Sequence, residues 1–517
     1  MPRFKPENRN QHMLVPVDLS EQIMKGTLEA TINETIDRMD MTPFTSRIKN
    51  DLTGAPAYNP RSLLKVILFA YSRGILSSRR IADACEKHIV FMALSGYSSP
   101  NFTTLADFIS SMEAEVKQVF IHILRVCAKM NLVGAERFAI DGHKLTSNAA
   151  KEHSGRFADF KKRIEKYSDL INSLLKEHTA TDVVEEQEAI ARKRKKLEVK
   201  KERLEAFVES NKPKLATRKS AKEPMSNVTD NQSAKIISSH GVIQGYNGVV
   251  VTDEKSQIVV AAEAHGTSYE GNLLMPMLSV AEDNMTAIEI DKKLSEIQIL
   301  ADANYFNEEN LQALSEKEID AYIPDPMFRK RDPRFANADN HKGKTRKNVY
   351  DTKKSEGLRG FGQTDFTYDK TGDFYLCKSD HRLNRWANHP TSGGRVYGIE
   401  KIAHCRACPL RDQCMPGGND RSKKMITVAS KEADNRRMPY STAMKAKIDS
   451  PAGKAIYAKR LKIVEPVFAN TRAHKGMNKF TLRGKAKVNI QWLLYMAVHN
   501  LSKIANAIRE NPQLQIA

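Results

Sequence analysis

Two short apolar runs in this chain each end on a carboxylate. They are Arg137-Phe138-Ala139-Ile140-Asp141 and Ile297-Gln298-Ile299-Leu300-Ala301-Asp302. Apolar runs of this length, bounded by polar residues, read as buried strands. Between them lie strands at 242–252 and 257–264, joined by the turn Asp253-Glu254-Lys255-Ser256, and then a helix at 272–285. A further helix at 307–316 follows Asp302. With the charged stretch after residue 150 set aside, the order is strand–Asp, strand, strand, helix, strand–Asp, helix. That succession predicts an α+β (mixed α/β) core whose two aspartates sit at the ends of neighbouring strands.

The rest of the chain divides around this core. Residues 1–135 read as a helical N-terminal domain, with a capped helix expected to run from Leu19-Ser20-Glu21 to Met39 and another opening at Asn59-Pro60-Arg61-Ser62. Its short, polar-capped helices suit either a helix-turn-helix-like DNA reader or a plain bundle. Residues 136–150 begin the core, 151–224 form a charged helical insert and linker, and 225–326 continue the core. In the insert, Phe157, Phe160, Ile164, Tyr167, Ile171 and Leu174 make a heptad seam, and Ile190, Leu197 and Leu204 repeat every seven residues. Two helices with a break near 179–182 predict an antiparallel hairpin or a dimerising arm. Residues 327–449 are basic and poor in apolar residues, and 450–517 return to helix as the core's C-terminal part.

Charge narrows the partners. Lys and Arg number 82 against 62 Asp and Glu, a net +20, and from Met327 onward 39 basic residues face 16 acidic ones. A basic C-terminal portion is the footprint of a polyanion, nucleic acid before an anionic membrane. No run approaches the ~20 apolar residues of a membrane span, and Met1-Pro-Arg-Phe-Lys5 lacks a signal peptide's apolar core. Six cysteines in 517 residues are too few for a disulfide scaffold, and the clustering of four of them points to metal. These features predict a cytoplasmic protein.

Paired carboxylates suit Mg²⁺ (or Mn²⁺), a hard ion that takes oxygen ligands. Two such ions can drive an in-line phosphodiester displacement. Most strand-end aspartates, however, only cap turns. Glu465 is the third candidate, because it is the one acid among 12 basic residues between Pro451 and Arg509. It either pairs with an Arg or Lys or ligates a cation.

At these residues the chain resembles a bacterial insertion-sequence transposase of the DDE type, with an RNase H-like catalytic fold. Phe138-Ala139-Ile140-Asp141-Gly142 resembles the family's first aspartate motif and Ala301-Asp302-Ala303-Asn304-Tyr305 its second. Tyr457, Arg460 and Val464-Glu465-Pro466-Val467-Phe468 resemble the third. The segment from Tyr58 to Glu113 is similar to the family's N-terminal domain. Arg483-Gly484, Gln491-Trp492 and His499-Asn500-Leu501 are similar to its last helices. The resemblance implies that Asp141, Asp302 and Glu465 bind two Mg²⁺ ions for strand cleavage and transfer. It also implies phosphate contacts by Tyr457, Arg460, Arg472 and Lys475. The spacing departs from one large branch, with four residues between Arg460 and Glu465 instead of three, and Arg472 where that branch has Lys.

Cys377, Cys405, Cys408 and Cys414 form a C-x27-C-x2-C-x5-C array whose ligand type and spacing suit structural Zn²⁺, with His381 and His404 as spare ligands. The surrounding segment is so short of core residues that it is expected to need the metal to fold. Arg346 and Lys347, and Lys423 and Lys424, fall in basic clusters suited to phosphates. Trp386, among Arg382, Arg385 and His381, could stack on a displaced base.

The function these readings support is a DNA transposase that binds terminal inverted repeats and target DNA, as a homodimer in the synaptic complex. The alternatives are a catalytically silent DNA-binding derivative and a metal-dependent nuclease that cuts without joining.

Overall fold

The structure is a computed structural model. It describes residues 17–48, 56–181, 183–215, 223–238, 241–335, 360–388, 394–419, 421–428 and 438–516. The chain forms two compact units. The first comprises Met1–Ala301, Ile319–Ala321 and Ala458–Ala517, and the second Asp302–Glu318 and Tyr322–Tyr457.

The first unit is built on a mixed sheet. Its central strand, β1 (Arg137–Thr146), buries Phe138, Ala139 and Ile140 in succession, as a strand does when both faces are covered. After it come the two-residue pair β2 (Ser154–Gly155) and β3 (Ser226–Asn227), then β4 (Ala234–Ser238) and β5 (Gly241–Asp253). β6 (Val259–His265), β7 (Gln298–Ala301) and β8 (Ala321–Tyr322) complete the set. β5 lies antiparallel to β1, from Phe138↔Asp253 to Thr146↔Gly245, and its other side pairs with β4 and β6. β7 runs parallel to β1, from Arg137↔Gln298 to Ile140↔Ala301. The order β6-β5-β1-β7-β8, with the helix Leu274–Ala287 between β6 and β7, follows the succession read from sequence and is consistent with an RNase H-like core.

The helix Lys485–Glu510 closes this unit. Nearly every residue from Val488 to Leu501 is buried, because the helix packs on β6 and also on the N-terminal helices Glu113–Lys129, Pro60–Ser72 and Leu28–Asp37. Its polar residues satisfy the sheet backbone. Asn489 Oδ1 accepts the Ala264 N–H at 2.6 Å, and the Asn500 amide both accepts from Val259 N and donates to Val259 O at 2.9 Å. Trp492 lies over Gly248 and donates Nε1–H to Val249 O at 3.2 Å. A Cβ on Gly248 would stand 2.8 Å from the indole, so this close approach requires glycine.

The first N-terminal helix starts later than the sequence reading placed it. It spans Leu28–Asp37, with Thr27 Oγ1 accepting the Ala30 N–H, because Gly26 at φ 80° breaks the run that Leu19 seemed to open. The charged insert folds as expected into two helices, Phe157–Ala180 and Val184–Ser210. Phe157 and Phe160 at the start of the first pack on Leu204 and Phe207 at the end of the second, so the pair is antiparallel.

In the second unit, the Glu308 carboxylate accepts the N–H groups of Tyr440 and Ser441, joining helix Glu308–Glu316 to helix Pro439–Asp449. The basic segment forms an antiparallel sheet in the order β13-β12-β11-β10-β9. Its strands are β9 (Thr367–Asp369), β10 (Phe374–Leu376), β11 (Arg382–Asn388), β12 (Arg395–Ile399) and β13 (Met425–Val428). Contrary to the sequence expectation, this sheet has a hydrophobic core of its own in Phe366, Tyr375, Leu383, Tyr397 and Ile426. β10 to β13 give one residue each to this core and Phe366 precedes β9, so the core residues are spread thinly among polar and basic ones in the sequence.

Candidate active site

Asp141 lies mid-way along β1, one residue past the last pair with β7, so its carboxylate stands where the two parallel strands part. Its Oδ1 accepts the Gly142 N–H at 2.8 Å and its Oδ2 accepts Arg460 Nη1 at 2.9 Å. Arg460 opens the helix Arg460–Ala469, which packs against β1. The two side chains are 7% and 19% exposed, a largely desolvated ion pair. Phe468, two turns on, stacks on His143 with ring centroids 5.2 Å apart. Burial, with Arg472 close by, pulls His143 down to about 4, so its imidazole is neutral at pH 7. Behind Gly142, a Cβ would meet the Asn247 amide at 2.8 Å.

Glu465 is on the same helix as Arg460. It is exposed, and among the described residues it makes no ion pair or hydrogen bond, although the surrounding sequence is basic. Asp302, the first residue of the second unit, follows Ala301 directly. Its Oδ1 accepts the Ala303 N–H at 2.6 Å and caps the turn Ala303–Tyr305. Among the described residues no three His, Cys, Asp or Glu side chains converge as a ready metal site. As a donor set for Mg²⁺, the carboxylates have the right chemistry. At Asp141, the Arg460 guanidinium would have to give way.

The basic residues sort by where their charge points. Arg472 is exposed. Trp386 is 55% exposed, and Lys423 Nζ lies 3.3 Å from its ring centroid. Lys424 and Lys475 do not present their ammonium groups outward. Lys424 is caged by the carbonyls of Phe361 and Cys414. Lys475 is 4% exposed and bonded to Asn470 Oδ1, and burial pulls it down to about 8. Tyr457 packs edge-on against Phe328 in the second unit. Arg346 and Lys347 lie outside the described residues.

Cys377, Cys405, Cys408 and Cys414 line one cavity together with His381 and His404, whose rings stack at 4.4 Å. Backbone N–H groups of His381 and Lys424 point at the sulfurs of Cys377 and Cys405 at 3.3 and 3.4 Å. Burial pushes the Cys414 thiol up, with Lys424 opposing and the other three thiols adding to the rise. Cys85 and Cys127 are buried and act as small hydrophobes.

Residues 376–505 match the family described as a transposase DDE domain, and residues 17–111 match a transposase domain (DUF772). Both matches are to transposase domains, one near each end of the chain, and a DDE domain implies phosphoryl-transfer chemistry. The DDE match contains Glu465 and all four clustered cysteines, while Asp141 and Asp302 lie before it. No curated protein matches the chain. No helix among the described residues is long and apolar enough to cross a membrane.

The sequence reading missed His143 and Asn247. His143 was within reach, because it follows Asp141 by two residues and so shares its face of the strand. Asn247 meets Gly142 only through the antiparallel register, which residue types do not reveal.

Proposed function

We propose that the protein binds the terminal inverted repeats of an insertion sequence and performs metal-dependent cleavage and transfer of DNA strands, with Asp141, Asp302 and Glu465 as its carboxylates. The observation that carries this reading is Glu465, an exposed acid without an ion partner in a basic stretch of a DDE domain. Its helix packs on the strand that holds Asp141. An acid kept there for stability would be paired with one of its basic neighbours. Two Mg²⁺ ions, when bound, would supply an activated water or 3′-hydroxyl and stabilise the leaving oxygen. Asp141, Asp302 and Glu465 would hold them. Arg460, released from Asp141, and Arg472 become cations available to DNA phosphates, and the neutral His143 adds no competing charge. In the second unit the exposed Trp386 would stack on an unpaired base, with Lys423 beside its ring as the phosphate contact. The four cysteines would close on a structural Zn²⁺ as thiolates; finding less than one zinc per chain in the purified protein would remove that part. Synapsis of two ends calls for a homodimer.

The test uses a supercoiled plasmid carrying the gene's native flanks, purified protein and Mg²⁺. Wild type should cut at the ends and yield joined products. Asp141→Ala, Asp302→Ala and Glu465→Ala should each bind DNA but lose both activities. Cleavage without joining would favour a nuclease, and specific binding without cleavage a silent derivative.

A further inference from the structure

Six residues past Asp141, where β1 ends, the first unit opens a cavity of about 430 Å³. Ser147, Asn148, His153, Arg203, Thr229 and Arg483 supply its polar lining, and no carboxylate contributes. Four chain regions meet here: the loop after β1, the root of the helical arm, the turn after β3, and the segment leading into the closing helix.

The two arginines are held in place without being neutralised. Arg203 Nη2 donates to Thr229 Oγ1 at 2.9 Å, and Arg483 Nε donates to the Asn148 carbonyl at 2.7 Å. Each guanidinium thus spends one of its five N–H donors on the protein. Neither makes an ion pair among the described residues. Arginines elsewhere in the structure behave differently: Arg331 bridges Asp325 and Asp449, and Arg460 holds Asp141. His153 Nδ1 lies 3.2 Å from the same Thr229 hydroxyl, so the imidazole also borders the cavity.

The walls are fixed by backbone bonds. Ser147 N donates to Gln244 O at 2.9 Å, Asn148 Nδ2 to Thr481 O at 2.9 Å, Asn227 Nδ2 to Ala150 O at 2.8 Å and Val228 N to His153 O at 3.1 Å. A cavity framed in this way requires little ordering when an anion enters, so more of the interaction appears as affinity. Its volume exceeds what one small anion fills, and its arginines are exposed at the surface. A continuous polyanion suits it better than a free phosphate.

We propose that this cavity seats the sugar–phosphate backbone of duplex DNA, with Arg203 of the arm and Arg483 as the two phosphate contacts. The proposal rests on the reading of the protein as a DNA-cutting enzyme and adds a contact remote from the carboxylates. A strand rises about 3.3 Å per residue, which puts Ser147 about 20 Å from Asp141. With about 3.4 Å per nucleotide along one DNA strand, the contact falls about six nucleotides from the phosphate at Asp141. The arm is then a DNA clamp at its root, whatever its tip does.

The experiment is equilibrium binding of the full chain to a fluorescent mixed-sequence duplex of several turns over a series of salt concentrations. The proteins are wild type, Arg203→Gln/Arg483→Gln and Arg203→Lys/Arg483→Lys, each first shown to melt at the wild-type temperature. Each phosphate contact contributes about 0.9 to the slope of log affinity against log salt. The double Gln protein should therefore bind more weakly with a slope about 1.8 shallower, and the double Lys protein should keep the wild-type slope. An unchanged slope in a normally folded double Gln protein that binds DNA overturns the cavity proposal and leaves the enzyme reading standing. Wild type that fails to bind duplex at all overturns the enzyme reading and the proposal with it.

Discussion

Arg460 and Asp141 stand 319 residues apart in sequence and 2.9 Å apart in space. Both were recognisable singly, the aspartate from the apolar run that precedes it, although β1 continues past it to Thr146, and the arginine from the family resemblance despite its altered spacing to Glu465. Their pairing was not, because residue type carries no information about a partner so distant in the chain. The pair has a consequence for metal binding: a guanidinium on Oδ2 competes with any cation that needs that oxygen. Breaking a fully buried ion pair costs about 3–5 kcal/mol, and the residual exposure of Asp141 puts this one below that range. In Arg460→Met, which keeps the side chain's apolar bulk, the metal-free protein should therefore melt lower than wild type. Mg²⁺ should raise the melting temperature of the variant more than that of wild type, because the Arg460 guanidinium no longer holds the Asp141 Oδ2 it would need. Equal responses in a differential-scanning titration would mean that Arg460 does not compete.

Elements were legible where periodicity or a breaker marked them. The second strand–Asp run, the two strands between and the arm's two helices were found within a few residues of their observed bounds, whereas β1 does not end on Asp141 but runs on to Thr146. The first helix was placed too early, since a glycine's positive φ depends on its setting and not on its presence alone. The closing helix was found, but its neighbours were not. A helix that is apolar nearly all round points to no single face, and this one is buried between a sheet and three helices. Its polar residues Asn489, which the sequence reading did not single out, and Asn500, which entered only through the family resemblance, act as a substitute strand along β6. Removing one should be expensive. Asn500→Leu leaves the buried N–H and C=O of Val259 without partners, and each such group costs about 1–3 kcal/mol. Urea unfolding should show a loss of about 2 kcal/mol or more in Asn500→Leu. Asn506→Ala, on the exposed side of the same helix, should change stability by less than about 0.5 kcal/mol. Similar losses for both would mean that the side chain's bonds to β6 contribute little.

At the scale of the whole molecule, each unit is assembled from segments distant in sequence, and the DDE match itself spans residues of both. The charge asymmetry gave the partner class but nothing of this layout. The first unit cannot complete its core until its last segment has been added. Trp492, Leu494, Tyr495 and Val498 are all 1% exposed or less, and Tyr495 packs its ring on Tyr71 of the N-terminal helices at 5.1 Å. Without Lys485–Glu510, the apolar faces of β6 and of the helix Glu113–Lys129 would both meet water, and the backbone of β6 would lose its polar cover. Each large side chain removed takes away about 1.5–3 kcal/mol of burial, so the loss of four exceeds a typical domain's margin near the low end of 5–15 kcal/mol. A chain ended at Arg483 should therefore fail to form the first unit. Limited trypsin digestion should cut it within residues 60–146 and 241–301, where the full chain should resist, and heating should show no cooperative transition from this unit. Digestion matching that of the full chain would show that the sheet and the N-terminal helices hold together without the closing helix.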